Sequence, residues 1–410
     1  MSKHISLVEI DKIKRNNLQA LFFINLIGGL GAGIFNVVYQ PFILDLTNSI
    51  LITGILVTIG FAVQFLPMHF VGKLSDRFGR KKLMLSAIPL YVLGLLFLIL
   101  SNSNTLTFLI IGIVLFFFGG VLEASSSWIL VSENSNKSKG LMYGFILFSF
   151  FGGTIIGSTF VLFGGAFNTQ FFFLINIGLL ITKGLINLIF LSEKFRFTND
   201  PESKLIEPFD SEQGIWFKII KNPKSKAVLI FLTLDLFIYN ISLSIYRGGL
   251  KDFYQISREE LALITIVFNT SNMIFQIPGG HMADKFGKKK SLILSQFFGL
   301  SFFTINILAY FIWNSGFTAF LLPALIVSHI PFAMSVCTFI PSEQMTLTDL
   351  DETRKAESYG IVGMIRGIGF IPTGYIGGFL VQNVHYLAPL VISSIGIFFE
   401  IWYLSKYFHD

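Results

Sequence analysis

Twelve apolar runs, each roughly 17 to 25 residues long, punctuate this chain, and that is the length an α-helix needs to cross the hydrocarbon core of a bilayer. They begin at about Leu18, Leu51, Leu83, Thr107, Leu141, Phe171, Ala227, Leu261, Ser291, Phe317, Tyr359 and Leu387. A soluble core would confine apolar residues to one stripe of each helix, whereas here 48 Phe residues are spread along all 410 positions. Charged residues make up 13% of the chain, against about a quarter in ordinary globular proteins. Part of the solvent is therefore lipid, in which every backbone group must be satisfied within its own segment, so the runs are read as transmembrane helices.

The longest polar interval, Ser192 to Lys226, splits the spans six and six. The expected segments are a cytoplasmic N-terminus at 1–17, a six-helix bundle at 18–192, a cytoplasmic linker at 193–226, a second bundle at 227–404 and a tail at 405–410. Orientation follows from Lys and Arg, which are retained on the cytoplasmic side. With the N-terminus inside, 25 of the 30 basic residues fall in inside segments, and the outside holds only Arg247, Lys251 and Arg258. Both termini are thus expected in the cytoplasm of a multi-pass plasma-membrane protein. Met1 to Asn17 carry Lys3, Lys12, Lys14 and Arg15 with no small-residue cleavage site after them, which reads as a retained anchor.

Composition also excludes several classes. The single Cys337 forbids an intramolecular disulfide, and the six His residues are scattered, so no metal site or other cofactor is expected. The net charge of +6 fits lipid headgroups better than nucleic acid, given where the basic residues fall. No GxxxxGK[ST] loop is present to cradle a nucleotide phosphate.

Internal repetition says more than hydropathy. GKLSDRFGRKK at residues 72–82 follows the second span, and GHMADKFGKKK at residues 280–290 follows the eighth. A second pair agrees: Ser132-Glu133 before Tyr143-Gly144, and Ser342-Glu343 before Tyr359-Gly360. The halves are copies in the same orientation, which gives an all-α membrane protein of twelve transmembrane helices in two pseudo-symmetric six-helix bundles.

The repeated loop resembles the signature between the second and third spans of the major facilitator superfamily, and the likeness runs from Leu18 to Leu404. It implies parallel halves with a solute site near the midplane. Spans one, four, seven and ten should line the cavity, spans two, five, eight and eleven should form the interface, and the rest should face lipid. In the gating loops, Gly79 and Gly287 permit tight turns, Gly72 and Gly280 close helix approach, and Arg77, Arg80, Lys285 and Lys288 bind headgroups. Asp76, with Asp284 as its counterpart, should accept hydrogen bonds from a helix N-terminus, for Asp76 that of the eleventh span, in the outward-facing state. The alternative is that these loops only anchor topology.

An ionisable group inside a span costs on the order of 2.5 to 3.5 kcal/mol on insertion scales, so each requires a reason. Glu123, Asp235 and Arg366 lie at one depth, roughly 10 to 15 Å from the cytoplasmic boundary at 1.5 Å per residue, and suggest a network. Either Asp235 or Glu123 exchanges a proton as Arg366 approaches and withdraws, or the three hold the halves together as fixed charges. Lys183 and Glu400, on spans expected at the lipid face, are read as snorkelling toward headgroups. Neutral candidates for solute contact are Asn25, Asn36, Gln40, Gln64, Tyr239, Asn240, Asn269, Asn272 and Gln276, each equally suited to interhelical bonding. Glycines of spans five and eleven, with Pro372, suit close packing and bending.

The expected function is secondary active transport of a small solute by alternating access, with a proton or another ion as the coupling partner, and with membrane lipids around a monomer. A Phe-rich, weakly charged interior favours export of amphipathic compounds over an uptake symporter or facilitator. Residues 151–157, FGGTIIG, lack the proline of the drug-exporter pattern G-x-x-x-G-P-x-x-G-G, and no sugar-porter PESPR-like loop is present. A non-transporting sensor would call for an appended domain, whereas the chain ends at Asp410 soon after the last span. No catalytic constellation for an enzyme is apparent.

Overall fold

The computed structural model describes residues 7–103, 105–135, 139–165, 167–193, 221, 223–348 and 355–408. Most of the linker expected at 193–226, and the loop stretches 136–138 and 349–354, lie outside the described residues. Among those described there are helices and no strands, and twelve helices are long and apolar enough to cross a membrane.

These spans are Glu9–Thr47, Ile50–Phe78, Arg80–Leu100, Leu106–Asn134, Gly140–Phe163, Thr169–Phe190, Ser225–Tyr254, Arg258–Phe286, Lys288–Asn314, Thr318–Leu347, Glu357–Asn383 and Leu387–Tyr407. We call the side on which the first span starts the near side and the opposite one the far side. The first helix begins at Leu7, eleven residues before its apolar run, because hydropathy marks lipid thickness while the helix continues through the polar turns around Lys12 and Lys14.

Local chemistry sets the ends. Ser49 accepts a hydrogen bond from the Ile52 amide at 3.3 Å and Asn168 from Phe171 at 2.9 Å. Ser257 and Glu260 form a reciprocal capping box at the start of the eighth span. Gly79 and Gly287 turn the chain between successive spans at φ +98° and +86°, a region that side chains with a Cβ rarely enter.

Three spans are interrupted: the second between Phe65 and Met68, the seventh between Leu243 and Tyr246, and the eleventh between Phe370 and Thr373. Pro67 and Pro372 account for the outer two, since proline removes an amide donor and clashes with the preceding turn.

The second and eleventh spans run alongside each other, as do the fifth and eighth, and these pairs join the halves as the resemblance implied. At the first pair a Cβ on Gly374 would lie 2.6 Å from the Gly54 carbonyl oxygen, so only glycine admits this approach. On the third, sixth, ninth and twelfth spans, Leu93, Leu188, Phe311 and Phe398 stand exposed, suited to lipid.

Candidate functional site

On the near side the repeated loops contact the opposite half. Asp76 closes the second span and its Oδ2 accepts the Glu357 amide at 2.9 Å; Glu357 opens the eleventh span. This is the helix terminus that the resemblance assigned to Asp76. Lys73 adds an ion pair to Glu357 at 3.5 Å. In the second half Asp284 Oδ2 accepts the Leu141 amide at 3.2 Å, at the start of the fifth span. Both acids sit where a helix N-terminus is electropositive.

Arg80, 2% exposed, backs the first of these contacts. Its guanidinium meets Asp76 at 2.6 Å, Glu133 at 3.0 Å and Ser75 at 3.2 Å, while Glu193 accepts the Arg80 and Lys81 amides at 2.8 and 3.1 Å. Arg77 and Lys285 lie over Phe78 and Phe286, at 5.4 and 5.5 Å from the ring centroids.

The charges inside the membrane do not form the single network expected of Glu123, Asp235 and Arg366. Glu123 pairs with Lys183 from the sixth span, whose ammonium also lies 5.9 Å from the Tyr91 ring centroid. Arg366 pairs with Glu343 of the tenth span and donates from Nε to the Leu232 carbonyl at 3.3 Å. Asp235 receives Gln296 Nε2 at 2.7 Å, and Gln296 Oε1 in turn receives the Tyr239 hydroxyl at 3.1 Å. Equal depth along parallel helices fixes one coordinate only, and rotation about each axis sends these three side chains to different neighbours.

Two further expectations are corrected. Lys183 and Glu400 do not snorkel: Lys183 is buried against Glu123. Glu400 is completely buried, both its carboxylate oxygens lack a hydrogen-bond partner, and it lies within electrostatic range of Asp235. Packing of the twelfth span against the seventh and ninth turns this acid inward.

The neutral candidates divide. Gln40 is committed to the break in the seventh span, donating to the Ser244 carbonyl at 2.8 Å and accepting the Gly248 amide at 3.1 Å. Asn25, Asn240 and Asn272 donate to carbonyls of their own helices at 2.8, 2.8 and 2.9 Å. Asn36 is exposed, Gln64 half-buried and Asn269 buried. Gln276 is fully buried with neither polar atom bonded, the state of a group awaiting a ligand or water. Sequence reasoning missed Glu343 and Gln296 as partners; the repeat offered a signal for the former, since Ser342-Glu343 copies Ser132-Glu133.

On the far side Lys251 pairs with Asp45 at 2.5 Å and Arg258 donates to the Gly165 carbonyl at 2.7 Å. These contacts join the seventh span to the first and the eighth to the turn after the fifth, beside a cavity of about 430 Å³ that includes Asp45, Lys251 and Glu259. The halves thus meet at both faces, on the near side through two backbone-to-carboxylate bonds and the Lys73–Glu357 ion pair, and on the far side through the Lys251–Asp45 ion pair and the Arg258 bond to the Gly165 carbonyl.

The sequence profile of the Major Facilitator Superfamily matches residues 21–252 and 227–410. An uncharacterised MFS-type transporter of Methanocaldococcus jannaschii is 28% identical over 242 residues, 56% of this chain and 54% of that protein. Against this relative the match spans about half its length. The multidrug resistance protein MdtG of Proteus mirabilis is 24% identical over 369 residues, covering 86% of this chain and 84% of its own. Among solved structures, that of the human organic anion transporter MFSD10 superposes with a TM-score of 0.70 at 12% identity, covering 95% of this chain and 99% of its own; it shares the fold.

Proposed function

The chain belongs to the Major Facilitator Superfamily, and from that premise we propose that it is a proton-coupled secondary transporter that exports amphipathic or hydrophobic compounds by alternating access. Membership makes it a multi-pass carrier of small solutes and not an enzyme. The near side, where basic residues concentrate, is its cytoplasmic side in the plasma membrane, with both termini there. Export is supported by the likeness to a multidrug resistance protein and by the Phe-rich spans.

One observation carries proton coupling: Asp235 and Glu400 share an interior in which neither is ion-paired to a described residue. Among the described residues Asp235 has only the neutral Gln296 as a hydrogen-bond donor, Glu400 has none, and Arg366, whose field reaches Asp235, is held by Glu343. Two anions enclosed this way are costly, and one shared proton removes the cost. Rocking that brings Arg366 toward Asp235 displaces the proton, and withdrawal recovers it. Glu123, paired with Lys183, is assigned a static role.

Full-length protein in liposomes enclosing a pH-sensitive dye, challenged with amphipathic cations, sugars and organic acids, tests this. Solute-evoked proton flux, lost in Asp235→Asn and in Glu400→Gln while both variants fold, is the expected result. Solute movement without proton flux, unchanged in both variants, overturns the coupling. The direction of net flux under an imposed pH gradient decides between export and uptake.

A further inference from the structure

The second half holds a cation that none of these clusters uses. Charge counting places Arg247 in an outside loop, yet it belongs to the short helix Tyr246–Tyr254 that completes the seventh span. There it lines a cavity of about 120 Å³ where the seventh, eighth and tenth spans meet. Arg80 and Arg366 each face carboxylates. Arg247, half-buried, has no ion pair or hydrogen bond to any described residue, and no acid lines its cavity. A guanidinium brings five N–H donors in a planar fork, and leaving them unmatched among apolar walls is the state of a site built for an acceptor that comes and goes.

The rest of the lining narrows that acceptor. His329 donates from Nδ1 to the Leu325 carbonyl at 2.7 Å, so its neutral ring presents Nε2 as an acceptor only and leaves Arg247 as the donor for an anion. Thr265 contributes a hydroxyl, itself bonded to Leu261 of its own helix at 2.7 Å. Tyr246 is engaged by Asn306 at 2.7 Å. Phe268 and Phe332 stack on each other at 5.0 Å between centroids, and leucine and isoleucine side chains complete the wall. The volume admits a ligand fragment, not merely one water.

We propose that this cavity is an anion subsite, in which Arg247 takes the carboxylate of an amphipathic organic acid through two parallel N–H···O bonds while the acid's ring packs on Phe268 and Phe332. The assignment names a substrate class for the transport proposed above, and rests on that reading only for the step from binding to movement.

Equilibrium binding separates the two. Full-length protein in lipid nanodiscs is titrated with 4-fluorobenzoate, 4-fluorobenzyl alcohol and 4-fluorobenzylammonium, read by fluorine NMR against empty nanodiscs. The wild type is expected to bind the carboxylate at least tenfold tighter than the alcohol, with the ammonium weakest. Arg247→Gln should abolish that preference, weakening the carboxylate far more than the alcohol, and Arg247→Lys should keep the charge but lose the fork and retain part of it. Asp235→Asn, which tests coupling, should leave the preference intact. A wild type that prefers no anion overturns the subsite without recourse to any variant, as does a folded Arg247→Gln protein that keeps the preference.

Discussion

Asp76 and Asp284, 208 residues apart in the sequence, perform the same act on opposite halves: each accepts the backbone amide that opens a span of the other half, Glu357 at 2.9 Å and Leu141 at 3.2 Å. The two bonds are not equivalent. Asp76 is half-buried and bound also to Arg80, whereas Asp284 is exposed.

Neutralising the two acids should therefore give unequal effects. A hydrogen bond to a charged group contributes about 1.5–3 kcal/mol when sheltered, and water screens the exposed partner. Asp76→Asn is expected to raise the near-side-open population by roughly tenfold or more, as 1.4 kcal/mol is a factor of ten, and Asp284→Asn by much less. Electron–electron distance measurements between spin labels on the second and eleventh spans read this population. Equal shifts in the two variants would contradict the ranking.

Arg80 ties the same loop together, meeting Asp76, Glu133 and Ser75. Removing one partner of a buried charge cluster costs about 3–5 kcal/mol, and Arg80→Gln leaves Asp76 and Glu133 facing each other without the cation. The variant should unfold at lower temperature in detergent, and Arg80→Gln with Glu133→Gln should recover part of the loss. A double variant no more stable than the single would show that Glu133 adds nothing.

How much of this was legible in the sequence follows from which interactions are local. Twelve spans and their pairing into halves followed from run length and from a loop that repeats, and the family resemblance carried by that loop implied the Asp76 contact with the start of the eleventh span. Glu123 with Lys183, and Arg366 with Glu343, were not legible. Pairing across helices depends on axial rotation, which strongly apolar spans leave undefined. Glu400 was misplaced for the same reason: a lipid-facing span still buries one face, and the carboxylate lies on it. Arg247 was misplaced because the break after Leu243 lets a polar stretch resume as helix.

The pair Lys183–Glu123 should behave as fixed structure. Lys183→Met alone strands a carboxylate among the third, fourth and sixth spans and is expected to lower both stability and transport. Lys183→Met with Glu123→Leu removes both charges, and replacing a buried pair by apolar groups is often neutral or stabilising. The double variant should regain stability and keep solute-evoked proton flux in liposomes. A folded double variant that has lost the flux would transfer the titrating role to Glu123.

On the far side, Asp45 and Lys251 are 63% and 31% exposed, so their pair contributes only about 0–1 kcal/mol to stability. Its consequence is conformational, because it spans the two halves beside the seventh-span break that Gln40 clamps at Ser244 and Gly248. Asp45→Asn should leave the unfolding temperature unchanged while increasing far-side accessibility to a membrane-impermeant thiol reagent at a cysteine placed at Pro41. Linking the positions covalently gives the stronger test. Asp45→Cys with Lys251→Cys, in a Cys337→Ser background, should lose transport on oxidation and regain it on reduction, because a rocking carrier cannot open a face that is tied shut. Full transport by the oxidised protein would mean that the first and seventh spans do not separate there, and that the far-side opening lies elsewhere.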